Sequence, residues 1–329
     1  MNLKILYFTD THIRGTSPKN RKDDYVTTLE DKFLEVVKII EDEKVDFVIH
    51  GGDLFDRPDI SVSVVSRFAK ILNEIKVPIY MVSGNHDIYG HNPLTVNRTM
   101  VGLLDNLGIV NIIDNLGKVI LEKENVKVQL TGQPYIYNID DPNNRKYYLV
   151  DHVDEGIDYS IHLVHGMLLD RPFIKGIPYT LIDDIKTTKA NITLSGHYHS
   201  GFKKTIIEDK YFINPGSIVR ITNSLREMER KPQVAILQLD DTIDIRFLPL
   251  LTAKSGEEVL DRGEIEKNIF QRERLFEFKQ TVDDALDFEK MDINDLLIEV
   301  STSEGVSEDV KIEALRRIAL VQMKGLDGD

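Results

Sequence analysis

Five short apolar runs, each closed by a side chain able to hold a metal ion, constrain this chain more than any other feature. "LKILYFTD" ends at Asp10, with His12 two residues on. "VDFVIHGGD" ends at Asp53, "VPIYMVSGNHD" at Asn85 and His86, "YSIHLVHG" at His165, and "NITLSGHYH" at His197 and His199. Near-continuous Val/Ile/Leu runs of this length predict buried strands. In an extended segment residues i and i+2 point to one side, so "SGHYHSG" is expected to aim His197 and His199 into one pocket.

Between the first two runs, Leu29, Phe33, Val36, Val37 and Ile40 fall at helical spacing. Between the second and third, Val62, Val65, Phe68, Ala69, Leu72 and Ile75 do the same. Strand, helix, strand, helix, strand predicts βαβ units and a largely parallel sheet at the start. Past residue 110 the helical signal fades. "VKVQLTGQPYI", "KYFINPGSI", "PQVAILQLD" and "DTIDIRFLPL" read as further strands, with Asp240-Asp241 as a turn. The expected fold is an α/β sandwich (α+β): two mixed β-sheets flanked by helices. A domain boundary is expected near residue 250, with a small C-terminal α/β domain over 251–329. There "NDLLIEVST" suggests a strand, and residues 307–323 a helix with Ser307 as N-cap.

In open α/β sheets, ligands bind beyond the carboxyl ends of the strands. Asp10, His12, Asp53, Asn85, His165, His197 and His199 would all gather at that edge, and scattered core histidines would not. The 329-residue chain has no cysteine, so any metal falls to His, Asp, Glu or Asn. Seven oxygen and nitrogen donors suit two divalent ions, and the mixture fits manganese, iron or zinc better than calcium. Glycines at 51, 52, 84 and 196 allow the close approach such a centre needs. His50, His152 and His162 read as structural, whereas His91 lies close enough to touch substrate.

A net charge of −14 argues against a protein that coats nucleic acid, but not against an enzyme that cuts it, since bound cations invert the local sign. "RGTSPKNRKDD" supplies Arg14, Lys19, Arg21 and Lys22 just after the first donor pair. The apolar run at the N-terminus is too short for a signal segment, and no run of about 18 apolar residues would span a membrane. The expected setting is cytoplasmic, in a bacterium or a phage-infected cell.

Asp10-Thr11-His12, "GGDLFDRP", "SGNHD", His165-Gly166 and "GHYHS" resemble, in full and in order, the five motifs of the calcineurin-like metallophosphoesterase superfamily. With "NPGSIVR", they resemble its SbcD-type branch of DNA double-strand-break repair nucleases over about residues 1–250. The length and compact tail are similar to shorter, phage-type recombination endonuclease subunits.

The resemblance implies one ion held by Asp10, His12, Asp53 and His199, and another by Asp53, Asn85, His165 and His197, with Asp53 bridging. Manganese is the first expectation, and magnesium, iron or zinc are alternatives. It implies that His86 acts beside the scissile phosphate as general acid or transition-state stabiliser, oriented by Asp87. It further implies a dimetal DNA exonuclease/endonuclease, a homodimer within a heterotetramer, and an SbcC-type, SMC-like ATPase partner. The helix at 307–323 is a candidate for docking that ATPase. Arg14, Lys19, Arg21, Lys22, Arg57 and His91 are expected to meet DNA. One departure stands out: Asp56 occupies a position where the branch often has histidine, so it is expected to lean on Arg57 or to cap the next helix. The alternative function is a stand-alone phosphodiesterase for small diesters or cyclic nucleotides.

Overall fold

A computed structural model describes residues 2–174 and 176–263, together with residues 310, 312–314 and 317. The chain divides into two units, Met1–Asp261 and Arg262–Asp329, and every element named below belongs to the first. The strand expected at "NDLLIEVST" lies outside the described residues. Of the helix expected over 307–323, the five described residues are helical.

The first half of the unit runs β1 (Leu3–Phe8), α1 (Tyr25–Glu43), β2 (Phe47–His50), α2 (Val62–Leu72), β3 (Ile79–Met81), α3 (Met100–Asn106) and β4 (Asn111–Ile112). The second half runs β5 (Gly117–Lys123), β6 (Val126–Gln133), β7 (Tyr159–Val164), β8 (Leu168–Leu169), β9 (Thr180–Leu181), β10 (Ile192–Ser195), β11 (Phe202–Ile207), β12 (Lys210–Asn214), α4 (Leu225–Glu229), β13 (Gln233–Leu239) and β14 (Ile243–Pro249). Two six-stranded mixed sheets result, ordered β14-β13-β1-β2-β3-β4 and β11-β12-β10-β7-β6-β5. The expected two-sheet α/β architecture is thus the observed one. In the first sheet β1, β2, β3 and β4 are parallel, and the β13–β14 hairpin adds antiparallel to β1. In the second, β6, β7, β10 and β12 are parallel.

Alternation along β1 builds both sides of its sheet. Leu3, Ile5 and Tyr7 face the other sheet and meet Leu130, Ile161, Leu163, Ile192 and Leu194 in the layer between. Leu6 and Phe8 face the helices. There Phe33 of α1 packs edge-on to Phe8 and to Phe68 of α2, with ring centroids 6.0 and 5.5 Å apart. Each such ring stabilises the layer by roughly 1.5–3 kcal/mol. A third cluster, including Tyr148, Tyr198 and Phe212, covers the far side of the second sheet.

The helix α1 follows its sequence pattern, starting at Asp24, whose carboxylate accepts from Val26 and Thr27 N–H. The helix α2 departs from its pattern at both ends. Val62 is 70% exposed, and Ile75 lies beyond the last turn. Helix α3, started by a Thr99 cap, gave too short an apolar pattern to be read. Among the described residues, no helix is long and apolar enough to cross a membrane.

Candidate metal centre

The carboxyl ends of β1, β2, β3, β7 and β10 meet at one edge of the sandwich. The chain keeps pairing beyond the strands. Asp10 N–H bonds Gly52 O at 3.1 Å and His12 N–H bonds Asp53 O at 3.0 Å, so the first two loops run side by side. A bridge between Met167 and His197 ties the loops after β7 and β10 together. "NPGSIVR" supports them from behind. The Asn214 amide donates to Tyr198 O at 3.1 Å, and the Ser217 hydroxyl donates to Asp10 O at 2.6 Å.

Two overlapping donor groups form there. Asp10, His12, Asp53 and His199 compose one, and Asp53, His165 and His197 the other, while a further trio of His12, Asp56 and His86 stands at the mouth; in each, ligand atoms lie within 4.8 Å of one another. Asn85 joins the second group, its Oδ1 3.3 Å from His165 Nε2. Asp53 is common to both. Its Oδ1 accepts the His86 N–H at 2.8 Å, leaving Oδ2 at 3.7 Å from His12 Nε2 and 3.3 Å from His165 Nε2. Asp10, His12, Asp53 and His165 are buried, while Asn85, His197 and His199 form a half-open rim.

The backbone is bent to reach this geometry. Asp10, His12, Asp53 and His197 all have left-handed φ, at 54, 43, 53 and 71°. Non-glycine residues are uncommon there, and such strain gathers at functional sites. His197 and His199 therefore do not share a side as strand neighbours. The strand β10 stops at Ser195, and the turn sends each imidazole to a different donor group. Gly84 shows how tight the packing is: a Cβ there would stand 2.1 Å from Asp53 Oδ1.

The electrostatics suit cations. Burial pushes His12 well below the ordinary imidazole pKa and His199 down to about 4, so both are neutral. Their Nε2 atoms stand only 3.0 Å apart, and His199 Nε2 is 3.5 Å from Asp10 Oδ1. Lone pairs converging beside carboxylates are what a divalent ion requires. Burial lowers His197 as well, to about 3. Burial raises Asp10 to about 7, assisted by the neighbouring Asp53 charge. For His165 burial would lower the pKa, but the Asp53 carboxylate outweighs it and holds the ring at about 9. His165 Nδ1–H donates to Gly51 O at 2.7 Å, which turns Nε2 inward in the tautomer a metal needs. The residues thus fit a pair of divalent ions, and Asp53 is the carboxylate common to both donor groups.

His86 stands exposed at the mouth, its ring 4.8 Å from that of His12. Its Nδ1–H donates to the Asp56 carbonyl at 2.9 Å, which fixes the orientation of the ring. Sequence reasoning gave Asp87 the task of orienting it. In the structure Asp87 is buried, and its carboxylate accepts from Leu54, Phe55 and Gly84 N–H, clamping the second and third loops together.

Asp56 leans neither on Arg57 nor on a helix. It pairs with Arg14 at 3.2 Å and faces His12 Nδ1 at 3.8 Å, while Ser61 begins α2. Arg14 therefore reaches the site edge, joined to it through Asp56. Lys19 and Lys22 are exposed, and Lys22 Nζ donates to Glu257 O at 3.2 Å. Arg21 is not a free cation, since its side chain is 1% exposed, forked onto Asp23 and bonded to Arg220 O. Arg57 lies out in solvent. His91 is exposed and meets Tyr135, whose ring centroid lies 5.5 Å from His197. Tyr135 escaped sequence reasoning, because a tyrosine just past a strand reads as core. His50 and His162 are buried and hydrogen-bonded within the fold, as expected of structural histidines.

Residues 3–201, more than half of the chain, match the family model described as calcineurin-like phosphoesterase. The chain is 26% identical over 276 residues to the DNA double-strand break repair protein Mre11 of Methanosarcina mazei, covering 78% of this chain and 41% of that protein. It is 24% identical over 292 residues to the double-strand break repair protein MRE11 of Encephalitozoon cuniculi, covering 77% and 48%. A shorter stretch of 109 residues is 32% identical to Mre11 of Thermoplasma acidophilum, covering 32% and 27%. These alignments span less than half the length of each of these relatives.

Proposed function

We propose that this chain, which belongs to the calcineurin-like phosphoesterase family, is a two-metal phosphodiesterase that cuts DNA, the nuclease subunit of a recombination and repair complex. The observation that carries the reading is Asp53, one carboxylate shared by two donor groups with His86 at their open side. Similarity to Mre11 proteins supports DNA as substrate. An SbcC-type ATPase partner, a homodimer, a partner-binding role for residues 251–329 and manganese as the working ion belong to the same reading.

When bound, a pair of divalent ions supplies Lewis acidity and an activated water for in-line displacement at phosphorus. The chain's own residues do the rest. Asp10, His12, Asp53 and His199 would hold one ion, and Asp53, Asn85, His165 and His197 the other. Buried Asp53 offers its carboxylate to both groups, and the half-open rim lets a phosphodiester approach from one side. His86, fixed through Nδ1, presents Nε2 to the substrate. Protonated there, it hydrogen-bonds a non-bridging oxygen and can pass its proton to the leaving oxygen. Arg14 and Lys19 offer positive charge near the phosphate backbone without reading sequence.

Incubation of a 3′-recessed duplex with the protein and Mn²⁺ or Mg²⁺ tests this reading. Degradation with Mn²⁺, abolished in Asp53→Asn, is the expected result. Hydrolysis of bis-p-nitrophenyl phosphate with intact DNA left untouched would instead assign the chain to small diesters.

A further inference from the structure

We propose that Tyr135 and His91 form a nucleobase subsite beside the metal centre, on which the base next to the scissile phosphate stacks; this rests on the nuclease reading above. Tyr135 lies two residues beyond β6, and its N–H bonds Ser83 O at 2.9 Å, pinning it to the loop that carries Asn85 and His86. Its ring centroid is 5.5 Å from His197, 6.2 Å from His165 and 5.4 Å from His91. The interplanar angles are 40, 73 and 50°, so none of these neighbours lies flat on the ring. Tyr135 is half-buried and His91 exposed. Gly90 and His91 both have φ of 57°, the left-handed turn in the loop that carries the His91 ring. Tyr89 and Tyr137, 40% and 71% exposed, lie on the same two loops.

These rings sit on the side of the centre formed by His165 and His197. A phosphate at the metal centre carries its base one sugar away, and on this side Tyr135 stands 5.5 Å from His197. Every base has a π-face, so stacking here tolerates any sequence. A base inside a duplex is already stacked on both faces and gains from Tyr135 only after leaving its neighbours. The subsite therefore selects strand ends and unpaired nucleotides over the interior of intact duplex.

The test uses the full chain in a His86→Ala background, which slows cutting enough for binding to be read. Fluorescence anisotropy compares short single strands ending in an ordinary nucleotide or in an abasic analogue, with Mn²⁺ present. The expected preference for the base-bearing end is on the order of ten-fold. Tyr135→Leu should abolish it, and Tyr135→Phe should keep it, because the ring rather than the hydroxyl acts. Calorimetric Mn²⁺ binding identical to the parent's shows that Tyr135→Leu has kept its fold. If that variant loses Mn²⁺, the exposed His91→Ala decides in its place, and an undiminished preference there overturns the proposal. Equal binding of both strands by the parent, or a preference that survives Tyr135→Leu, also overturns it and leaves the nuclease reading standing. Failure of the protein with His86 intact to cut any oligonucleotide sinks both.

Discussion

Gly84→Ala should disable the metal centre while leaving the chain folded. The added methyl would stand 2.1 Å from Asp53 Oδ1, 2.4 Å from Asp53 N and 2.6 Å from Asp53 Cγ. Ordinary carbon contacts begin about an ångström further out, at roughly 3.5 Å. All three atoms belong to one residue, which the His86 N–H and the β1–β2 loop pairing hold from two sides. The clash therefore falls on the carboxylate that both donor groups share. Overpacking of this kind costs about 1–3 kcal/mol, a tolerable loss for a domain with two other core layers. Misplacing the bridge by an ångström lowers turnover by on the order of 100-fold. Calorimetry with Mn²⁺ should show weaker binding with fewer than two ions, and the melting temperature without metal should fall by only a few degrees. A Gly84→Ala protein that binds two ions with parental affinity and cuts DNA at the parental rate would refute this account of the site.

Other perturbations separate the remaining roles. His86→Ala should lower turnover by about 10²–10⁴-fold with Mn²⁺ stoichiometry intact; loss of an ion would make His86 a ligand instead. The proton that Asp53 holds on His165, with its pKa near 9, must leave when a cation binds. Apparent Mn²⁺ affinity should therefore rise as pH goes from 7 to 9 and level off above, by up to about tenfold per unit for each proton displaced. A flat calorimetric profile over that range would contradict the assignment. Arg21→Ala removes the forked pair with Asp23 and the bond to Arg220 O, and should lower the melting temperature. Lys19→Ala should leave stability unchanged and flatten the salt dependence of DNA binding by nearly one contact; a shallower slope from Arg21→Ala at unchanged stability would reverse the two roles.

The parts of the site legible in the sequence are those where chemistry admits few residue types. A cation pair in a cysteine-free chain falls to His, Asp, Glu or Asn, and strands that end at one sheet edge must deliver them there. Position 53 was readable as a shared donor because it alone follows two glycines, one of which leaves His165 room to approach. What the sequence withheld are contacts made across loops. Arg21 and Lys22 look alike in a charge run. Only folding turns the first onto Asp23 and Arg220 O and leaves the second exposed. Asp56 could be placed beside Arg57 by adjacency, yet it meets Arg14 because the first two loops run parallel. The helix α3 and strands β5 and β11 were missed for a different reason. β5 and β11 are edge strands with few fully buried residues, and α3 is too short for a period to show.

The left-handed turns at Asp10, His12, Asp53 and His197 carry a consequence for anyone who tries to harden this molecule. Glycine would rest at those torsions without protest, relieving about 1 kcal/mol or more of backbone strain. At Asp10 and Asp53 that relief is offset, because the His197 and His86 N–H groups would lose their acceptor. At His12 and His197 no backbone N–H loses its acceptor, so selection for heat resistance and selection for turnover should pull those two codons in opposite directions.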